Sequence, residues 1–158
     1  MSGMDATLEQ LIDERDVADV VVRLFVATDL RDWAGVEACL AERVTLDMTS
    51  LTGGEPLHRS GREVAAMWEE GLRPIDHVHH QVGNLRATVA GDEAKVSCYG
   101  IALHHRSTID SDRKTRRFVG SYDVHLRREH ARWRVDLFRF NLAFVDGNLE
   151  LEKEKRKA

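Results

Sequence analysis

Ala27-Thr-Asp-Leu-Arg-Asp-Trp33 ends the first predicted helix of this chain, and His80-Gln-Val-Gly-Asn84 begins a predicted strand. Asp29 lies four residues after Phe25, so it projects from the apolar face of the helix toward the core. A carboxylate that points inward needs a partner. A histidine held against a carboxylate keeps one tautomer and becomes a better proton acceptor. Asp29 and His80 are therefore the candidate reaction pair.

A structural interpretation competes with this one. Asp29 would then only cap the turn that leads into Asp32, and His80 would be a strand residue whose hydrogen bonds are satisfied. A carboxylate in the last turn of a helix meets the partial negative charge of the helix dipole, so it needs compensation in either case. The spacing of the two residues alone favours the structural interpretation.

The composition indicates one domain. The chain has 158 residues, 42% of them hydrophobic and 32% charged, which suits a single domain with a real core. The 23 basic and 27 acidic residues give a net charge of −4, which provides no general attraction to nucleic acid or to an anionic membrane. We predict one domain over residues 1–158, with a core at 8–148 and a charged C-terminal tail at 149–158.

The sequence contains no apolar run as long as a membrane span, and its acidic start, residues 1–5, is unlike a signal peptide. We therefore expect a cytoplasmic protein. Cys39 and Cys98 form neither a CxxC motif nor a disulfide framework. Both are expected to be buried thiols.

Helical patterns fill the first part of the chain. Thr7-Leu-Glu-Gln10 has the pattern of a capping box, and apolar residues keep helical spacing from Leu8 to Thr28. Asp32 can cap a second helix over residues 33 to about 41. A strand at 44–48 and a loop at 49–59 are predicted to follow.

Ser60-Gly-Arg-Glu63 is a second capping-box pattern, and it predicts a third helix that runs to about residue 71. Strand patterns occupy the rest of the chain, at 78–89, 94–106, 118–128 and 132–145. Gly91-Asp92 predicts a tight turn between the first two of these strands. The polar segment 107–117 predicts an exposed loop. Its basic cluster could contact an anionic substrate or partner, although a solvated hairpin tip is the preferred interpretation.

The predicted helices come first in the chain and a long antiparallel meander of strands follows, which predicts an α+β domain. The N-terminal helices are expected to pack on the concave face of a curved antiparallel sheet. Such a sheet forms a cone whose mouth can hold a small molecule.

Several short segments, in this order and spacing, resemble the landmarks of SnoaL-like proteins in the nuclear transport factor 2-like (NTF2-like, cystatin-like) superfamily. They are Asp29-Leu-Arg-Asp32-Trp33, Val44-Thr-Leu-Asp47, His80-Gln-Val-Gly-Asn84, Gly120-Ser-Tyr-Asp123, Arg132-Trp-Arg134 and Gly147-Asn148. The resemblance covers residues 8–148. It implies the cone-shaped fold described above.

The resemblance also implies a chemistry. Scytalone dehydratase, the bile acid 7α-dehydratase and the hexachlorocyclohexane dehydrochlorinase use an aspartate and a histidine, without metal or organic cofactor. Asp29 and His80 fall on these two positions, which reverses the preference for a structural role. A further histidine of scytalone dehydratase is matched by His104, or less well by His105. An active-site asparagine falls near Asp123, where this chain has a carboxylate that can only accept hydrogen bonds.

The substrate pocket is expected to include Thr28, Trp33, Asn84 and Tyr122. Thr28 stands where both dehydratases have a tyrosine. Trp33 lies in an amphipathic element, so core packing is an alternative role for it. Tyr122 and Asp123 are neighbours on a strand, so only one of them can face the pocket.

A metal site is not expected, although the chain has several histidines. His79-His80 and His104-His105 are adjacent pairs, and neighbours on a strand point to opposite faces. At most one histidine of each pair can therefore enter one pocket. The resemblance implies that no cofactor is needed either. Dinucleotide-binding, P-loop and serine hydrolase motifs are absent from the sequence, so those functions lack support.

These observations predict a cofactor-independent lyase or isomerase that acts on a small, mostly apolar molecule, with elimination of water as the first choice. His80 would take the proton, Asp29 would orient His80, and His104 or Asp123 would assist the leaving group. The alternatives are a polyketide cyclase, or a binding module or accessory subunit without chemistry, such as the β subunit of a ring-hydroxylating dioxygenase.

The expected partner is a small-molecule substrate, with no nucleic acid and no membrane. A homodimer or homotrimer is also expected, through the exposed face of the sheet, where Tyr99, Ile101 and Leu103 share one side of a strand.

Overall fold

The computed structural model describes residues 3–155. Its elements are, in chain order, α1 (Gly3–Asp29), α2 (Trp33–Cys39), β1 (Leu40–Asp47), α3 (Thr49–Thr52), β2 (Leu57–Arg59), α4 (Gly61–Leu72), β3 (His77–Ala90), β4 (Glu93–His105), β5 (Thr115–Glu129) and β6 (Arg132–Gly147). The start of the expected N-terminal segment (residues 1–2) and the end of the expected tail (156–158) lie outside the described residues. The predicted loop at 49–59 contains the short elements α3 and β2.

The strands form one sheet of six, in the order β2-β1-β6-β5-β4-β3. The α+β fold expected from the sequence, with helices on the concave face of a curved sheet, is confirmed. One pairing departs from the expected antiparallel pattern, because β1 runs parallel to β6. A parallel pair requires a long crossover connection, and here most of the domain lies between the two strands.

Helix α1 begins at Gly3, four residues before Thr7, so the predicted capping box at Thr7 does not mark the start of the helix. The second half of α1 supplies the buried contacts. Val17, Val21 and Leu24 have no exposed surface, and they pack in the main core with residues of the sheet. These contacts hold the last turn of α1 against the inner face.

The other two predicted caps are confirmed. The Asp32 carboxylate accepts a hydrogen bond from the Gly35 N–H at 2.9 Å and caps α2. Ser60 and Glu63 form both hydrogen bonds of a capping box at the start of α4. Each cap satisfies backbone N–H groups that have no partner within the helix.

Burial alternates along the strands, as expected for a sheet with one covered face. On β4, Val96 and Cys98 are buried, whereas Tyr99 and Ile101 face outward. Tyr99 retains 65% of its surface and Phe144 on β6 retains 50%. The outer face therefore has exposed apolar side chains, and the expected homo-oligomer through this face stays a prediction.

The described part of the predicted C-terminal tail packs against the domain. Leu151 is fully buried and packs in a small second core with Ile75 and Ile109. The Arg106 guanidinium donates hydrogen bonds to the carbonyl groups of Leu151, Glu152 and Glu154. Since one apolar side chain and several backbone carbonyls are held in this way, the segment up to residue 155 belongs to the domain.

Both cysteines are buried free thiols, as predicted. Burial raises the pKa of Cys98 to about 11. Within residues 3–155, no helix has the length and apolar character needed to cross a membrane.

The space beside Gly100 yields the first prediction. A Cβ atom at Gly100 would lie 2.2 Å from Cε2 of Tyr122, because the tyrosine ring occupies that volume. We expect Gly100→Ala to lower the free energy of unfolding by about 1–3 kcal/mol, measured by urea denaturation. Gly83→Ala on the next strand is the control, since no heavy atom lies within 4 Å of its Cβ position. Equal losses in the two variants would contradict this account of Tyr122 packing.

Candidate active site

Asp29 and His80 meet where the end of α1 lies against the start of β3. Oδ1 of Asp29 lies 2.6 Å from Nδ1 of His80, and Oδ2 accepts the backbone N–H of His80 at 2.8 Å. The side chains retain 17% and 14% of their surface. The pair is therefore mostly shielded from water and fixed by two hydrogen bonds.

Local contacts position this pair. The turn after Asp29 contains Arg31, whose φ of 57° is the left-handed conformation that commonly ends a helix. The Arg31 guanidinium donates to the carbonyl groups of Leu72 and Ile75, which join α4 to β3. One turn before Asp29, the Phe25 ring packs on the His80 ring with centroids 5.2 Å apart. The end of α1 and the start of β3 are thus tied together on both sides of the pair.

The hydrogen bond to Asp29 determines which nitrogen of His80 can react. A carboxylate only accepts, so Nδ1 carries the proton and Nε2 carries the lone pair. Within residues 3–155, the buried side-chain N and O atoms without a partner are Arg106 Nε and Arg116 Nε. Among these described residues, Nε2 of His80 has no hydrogen-bond partner and yet is not one of the buried atoms, so it retains accessible surface. This is the arrangement that a general base requires.

His104 also lies on the inner face. On β3 and β4, His80 pairs with Ala102 and Val78 pairs with His104, so the two histidines are diagonal neighbours on one face of the sheet. His105 points outward and contacts the Thr115 hydroxyl, which resolves the choice between the two histidines. Burial and the nearby Arg116 lower the pKa of His104 to about 4, so its ring is neutral at pH 7.

Tyr122 adds a phenol to the same region. It is buried, and its ring contacts Phe25 at 4.8 Å, Phe140 at 4.9 Å and Phe138 at 5.3 Å between centroids. Burial raises the pKa of the Tyr122 hydroxyl, so the group stays protonated and can donate a hydrogen bond. Phe25 contacts both His80 and Tyr122, so an aromatic ring lies beside each of these polar groups.

Two predicted site residues lie elsewhere. Asp123 is exposed on the outer face, because Tyr122 takes the inward position of this pair. Its carboxylate accepts a hydrogen bond from Asn141 at 2.8 Å and lines an outer groove of about 540 Å³. Asn84 is exposed at a bulge of β3 with a φ of 53°. The expectation that Asp123 and Asn84 share a pocket with His80 is corrected by these positions.

Thr28 and Trp33 have structural roles in this arrangement. Thr28 is buried, and its hydroxyl donates to the Leu24 carbonyl at 2.8 Å within α1. Trp33 begins α2 and is a partly buried residue packed against the main core. Core packing, the alternative role considered for Trp33, is the one that the structure describes.

The sequence interpretation missed Arg116 and Glu152. Arg116 was assigned to an exposed loop, but it is buried at the start of β5 and points inward beside His104. The signal was available in part, since Arg116 alternates with Phe118 and Tyr122 along one face of the strand. Glu152 lies in the C-terminal segment, and its position gave no signal in the sequence.

The described residues contain no group of three or more His, Cys, Asp or Glu side chains placed to bind a metal ion. The absence of a metal and of a cofactor from the reaction stays a prediction.

A sequence profile of the SnoaL-like domain matches residues 9–139. This agrees with the resemblance carried by the landmark segments. No curated protein matches the chain.

Solved structures share the fold. Kfla4162 from Kribbella flavida superposes with a TM-score of 0.83 at 18% identity, over 90% of this chain and 99% of that chain. A protein described as a scytalone dehydratase, from Novosphingobium aromaticivorans, has a TM-score of 0.75 at 14% identity, over 90% and 91%. The hexachlorocyclohexane dehydrochlorinase LinA-type3 from Novosphingobium barchaimii has a TM-score of 0.74 at 13% identity, over 90% and 94%. At these identities the likeness shows the fold alone.

The lowered pKa of His104 predicts a pH dependence of stability. The pKa of His104 is about 4 in the folded protein and has the ordinary value of 6.5 in the unfolded chain. Between these pH values the unfolded chain binds more protons, so a falling pH favours unfolding. A shift of this size corresponds to on the order of 3 kcal/mol. The stabilisation is complete above about pH 6.5 and is lost toward pH 4.

The test compares the wild type with His104→Asn, which keeps an acceptor near Arg116 but does not titrate. Urea unfolding at pH values from 7 to 4 should show the wild type losing stability relative to the variant. A difference in unfolding free energy that stays constant over this range would show that His104 is not the titrating group.

Proposed function

The chain belongs to the SnoaL-like domain family, and we propose that it is a cofactor-independent lyase or isomerase whose general base is His80. The observation that carries the proposal is the double contact of Asp29 with His80, at 2.6 Å to Nδ1 and 2.8 Å to the backbone N–H. A carboxylate held in this way fixes the ring orientation and the tautomer. It also stabilises the imidazolium that forms when Nε2 takes a proton.

Elimination of water is the reaction that we favour. Nε2 of His80 removes a proton from a carbon of the substrate, and the electrons of the C–H bond form the double bond as the neighbouring C–O bond breaks. Neutral His104 and Tyr122 can donate hydrogen bonds to the departing oxygen. The proton on His80 then passes to this oxygen, so that water leaves and the base is restored.

The lining of the site supports a mostly apolar substrate. Phe25 packs on His80, Phe118 packs on His104, and Tyr122 contacts Phe25. Aromatic rings favour a planar or alicyclic molecule over a highly charged one. Two of the similar folds are named as a dehydratase and a dehydrochlorinase, and both names denote eliminations. This supports an elimination here.

The proposal predicts that His80→Ala removes most of the activity. Positioned proton transfer is worth about a hundredfold to ten-thousandfold in rate. Asp29→Asn should also lower kcat, because the amide keeps the shape of the carboxylate but lacks the charge that stabilises the imidazolium. Turnover would be measured on a panel of hydroxylated alicyclic and aromatic compounds, with and without a metal chelator.

His79→Ala is the matched control. His79 is the neighbour of His80 on β3 and is exposed on the opposite face, so turnover should be unchanged. Thermal melts of all three variants separate catalysis from folding. Full turnover in His80→Ala on any substrate of the wild type would eliminate His80 as the base. If the wild type binds compounds of the panel but converts none of them, a binding module is favoured.

A further inference from the structure

We propose that Arg116 and Glu152 are positioning residues that hold His104 as a neutral hydrogen-bond donor for the leaving group, an inference that rests on the elimination proposed above. The three side chains form a chain of contacts from the C-terminal segment to the inner face of the sheet. The contacts in this chain determine which ring nitrogen of His104 carries the proton.

The register of the sheet brings Arg116 to His104. The two residues are Cα partners on β4 and β5, and both point inward. Nη2 of Arg116 lies 3.3 Å from Nδ1 of His104. Below them, the Phe118 ring lies 4.8 Å from the guanidinium carbon and 5.1 Å from the His104 ring centroid. The ring supports both groups, so their relative position is fixed by packing as well as by the hydrogen bond.

This contact determines the tautomer of His104. A guanidinium has five N–H donors and no acceptor. Nδ1 of His104 must therefore present its lone pair to Arg116, and the proton of the neutral ring lies on Nε2. Nε2 has no hydrogen-bond partner in the described part of the chain and is not a buried orphan atom, so it retains accessible surface. His104 thus offers an N–H to a ligand, whereas His80 offers a lone pair.

Glu152 keeps the Arg116 guanidinium in place. Its carboxylate accepts Nη1–H at 2.8 Å and also accepts an N–H from Nη2, in a bidentate arrangement. Nη2 has two hydrogen atoms, one for Glu152 and one for His104. Glu152 in turn belongs to the segment that Arg106 binds through three carbonyl groups. The C-terminal segment therefore contributes to the site through Arg116.

The charges around His104 favour its neutral form. Burial is the largest cause of its lowered pKa of about 4, followed by the positive charge of Arg116, while the carboxylates of Glu152 and Asp29 oppose them. Because Glu152 compensates Arg116 only in part, the ring stays uncharged throughout the neutral pH range. A neutral donor can stabilise negative charge on a departing oxygen without a second base competing with His80.

The test reads the protonation of His104 directly. In protein labelled with ¹⁵N-histidine, long-range ¹H–¹⁵N spectra distinguish a protonated from an unprotonated ring nitrogen, and His104→Asn identifies the signals. We expect a neutral ring with the proton on Nε2 at pH 7, and no titration of His104 above about pH 5, one unit above its pKa of about 4. A proton on Nδ1, or a charged His104 at pH 7, would overturn the proposal.

Three variants then test the two positioning residues. In Arg116→Met the tautomer of His104 should no longer be fixed, because the donor to Nδ1 is gone. The titration midpoint of His104 should rise, because a nearby positive charge is gone. Glu152→Gln should keep the Nε2–H tautomer and should not raise the midpoint. Arg117→Met is the matched control, because Arg117 is exposed and pairs with Asp146 on the outer face. An unchanged tautomer and midpoint in folded Arg116→Met would refute the role of Arg116.

On a substrate of the wild type, Arg116→Met should lower kcat by about tenfold or more, with little change in KM. The spectra do not depend on turnover, and the wild-type spectrum is assigned with His104→Asn rather than with Arg116→Met, so poor folding of Arg116→Met leaves the proposal open to refutation. Failure of the elimination chemistry appears as retained turnover in His80→Ala. Failure of the present inference appears as the wrong tautomer in His104.

Discussion

Both carboxylate oxygens of Asp29 bind His80, one through the backbone N–H and one through the ring. The carboxylate lies at the C-terminal end of α1, where the helix dipole disfavours negative charge. Two hydrogen-bond donors from β3 compensate it. The same contacts fasten the end of the helix to the edge strand of the sheet, so the geometry of the reaction pair and the docking of α1 have one physical origin.

The rest of the site follows from the alternation of side chains along strands. Each adjacent polar pair is divided between the two faces, with His80, His104 and Tyr122 inward and His79, His105 and Asp123 outward. The inward groups have different chemical roles because their neighbours differ. A carboxylate makes His80 an acceptor at Nε2, and a guanidinium makes His104 a donor there.

The two arginines that bind the C-terminal segment, Arg106 and Arg116, are buried at an energetic cost. In the part of the chain that the structure describes, Nε of Arg106 and Nε of Arg116 are buried without partners, which is unfavourable for charged groups. Nη1 of Arg106 donates to three carbonyl groups, and Nη1 and Nη2 of Arg116 donate to the Glu152 carboxylate. These bonds, together with the burial of Leu151, offset the cost and make the segment part of the domain.

Most local features follow from the sequence alone. Capping residues, apolar periodicity and the tight turn at Gly91 predicted the three longer helices and the five longer strands to within a few residues, because each depends on neighbours in the chain. The short elements α3 and β2 were predicted as loop, and the pattern at Thr7 did not mark the start of α1. The inward projection of Asp29 was also a local property of the helix. The contact with His80 required a resemblance to known proteins, since the two residues are 51 positions apart. Long-range packing places Tyr122 rather than Asp123 inward, pairs β1 parallel to β6 and buries Arg116. These outcomes depend on sheet register and on the docking of the C-terminal segment, which are set by contacts between distant parts of the chain. The alternation of side chains along β5 shows which residues share a face, but it does not show which face is covered.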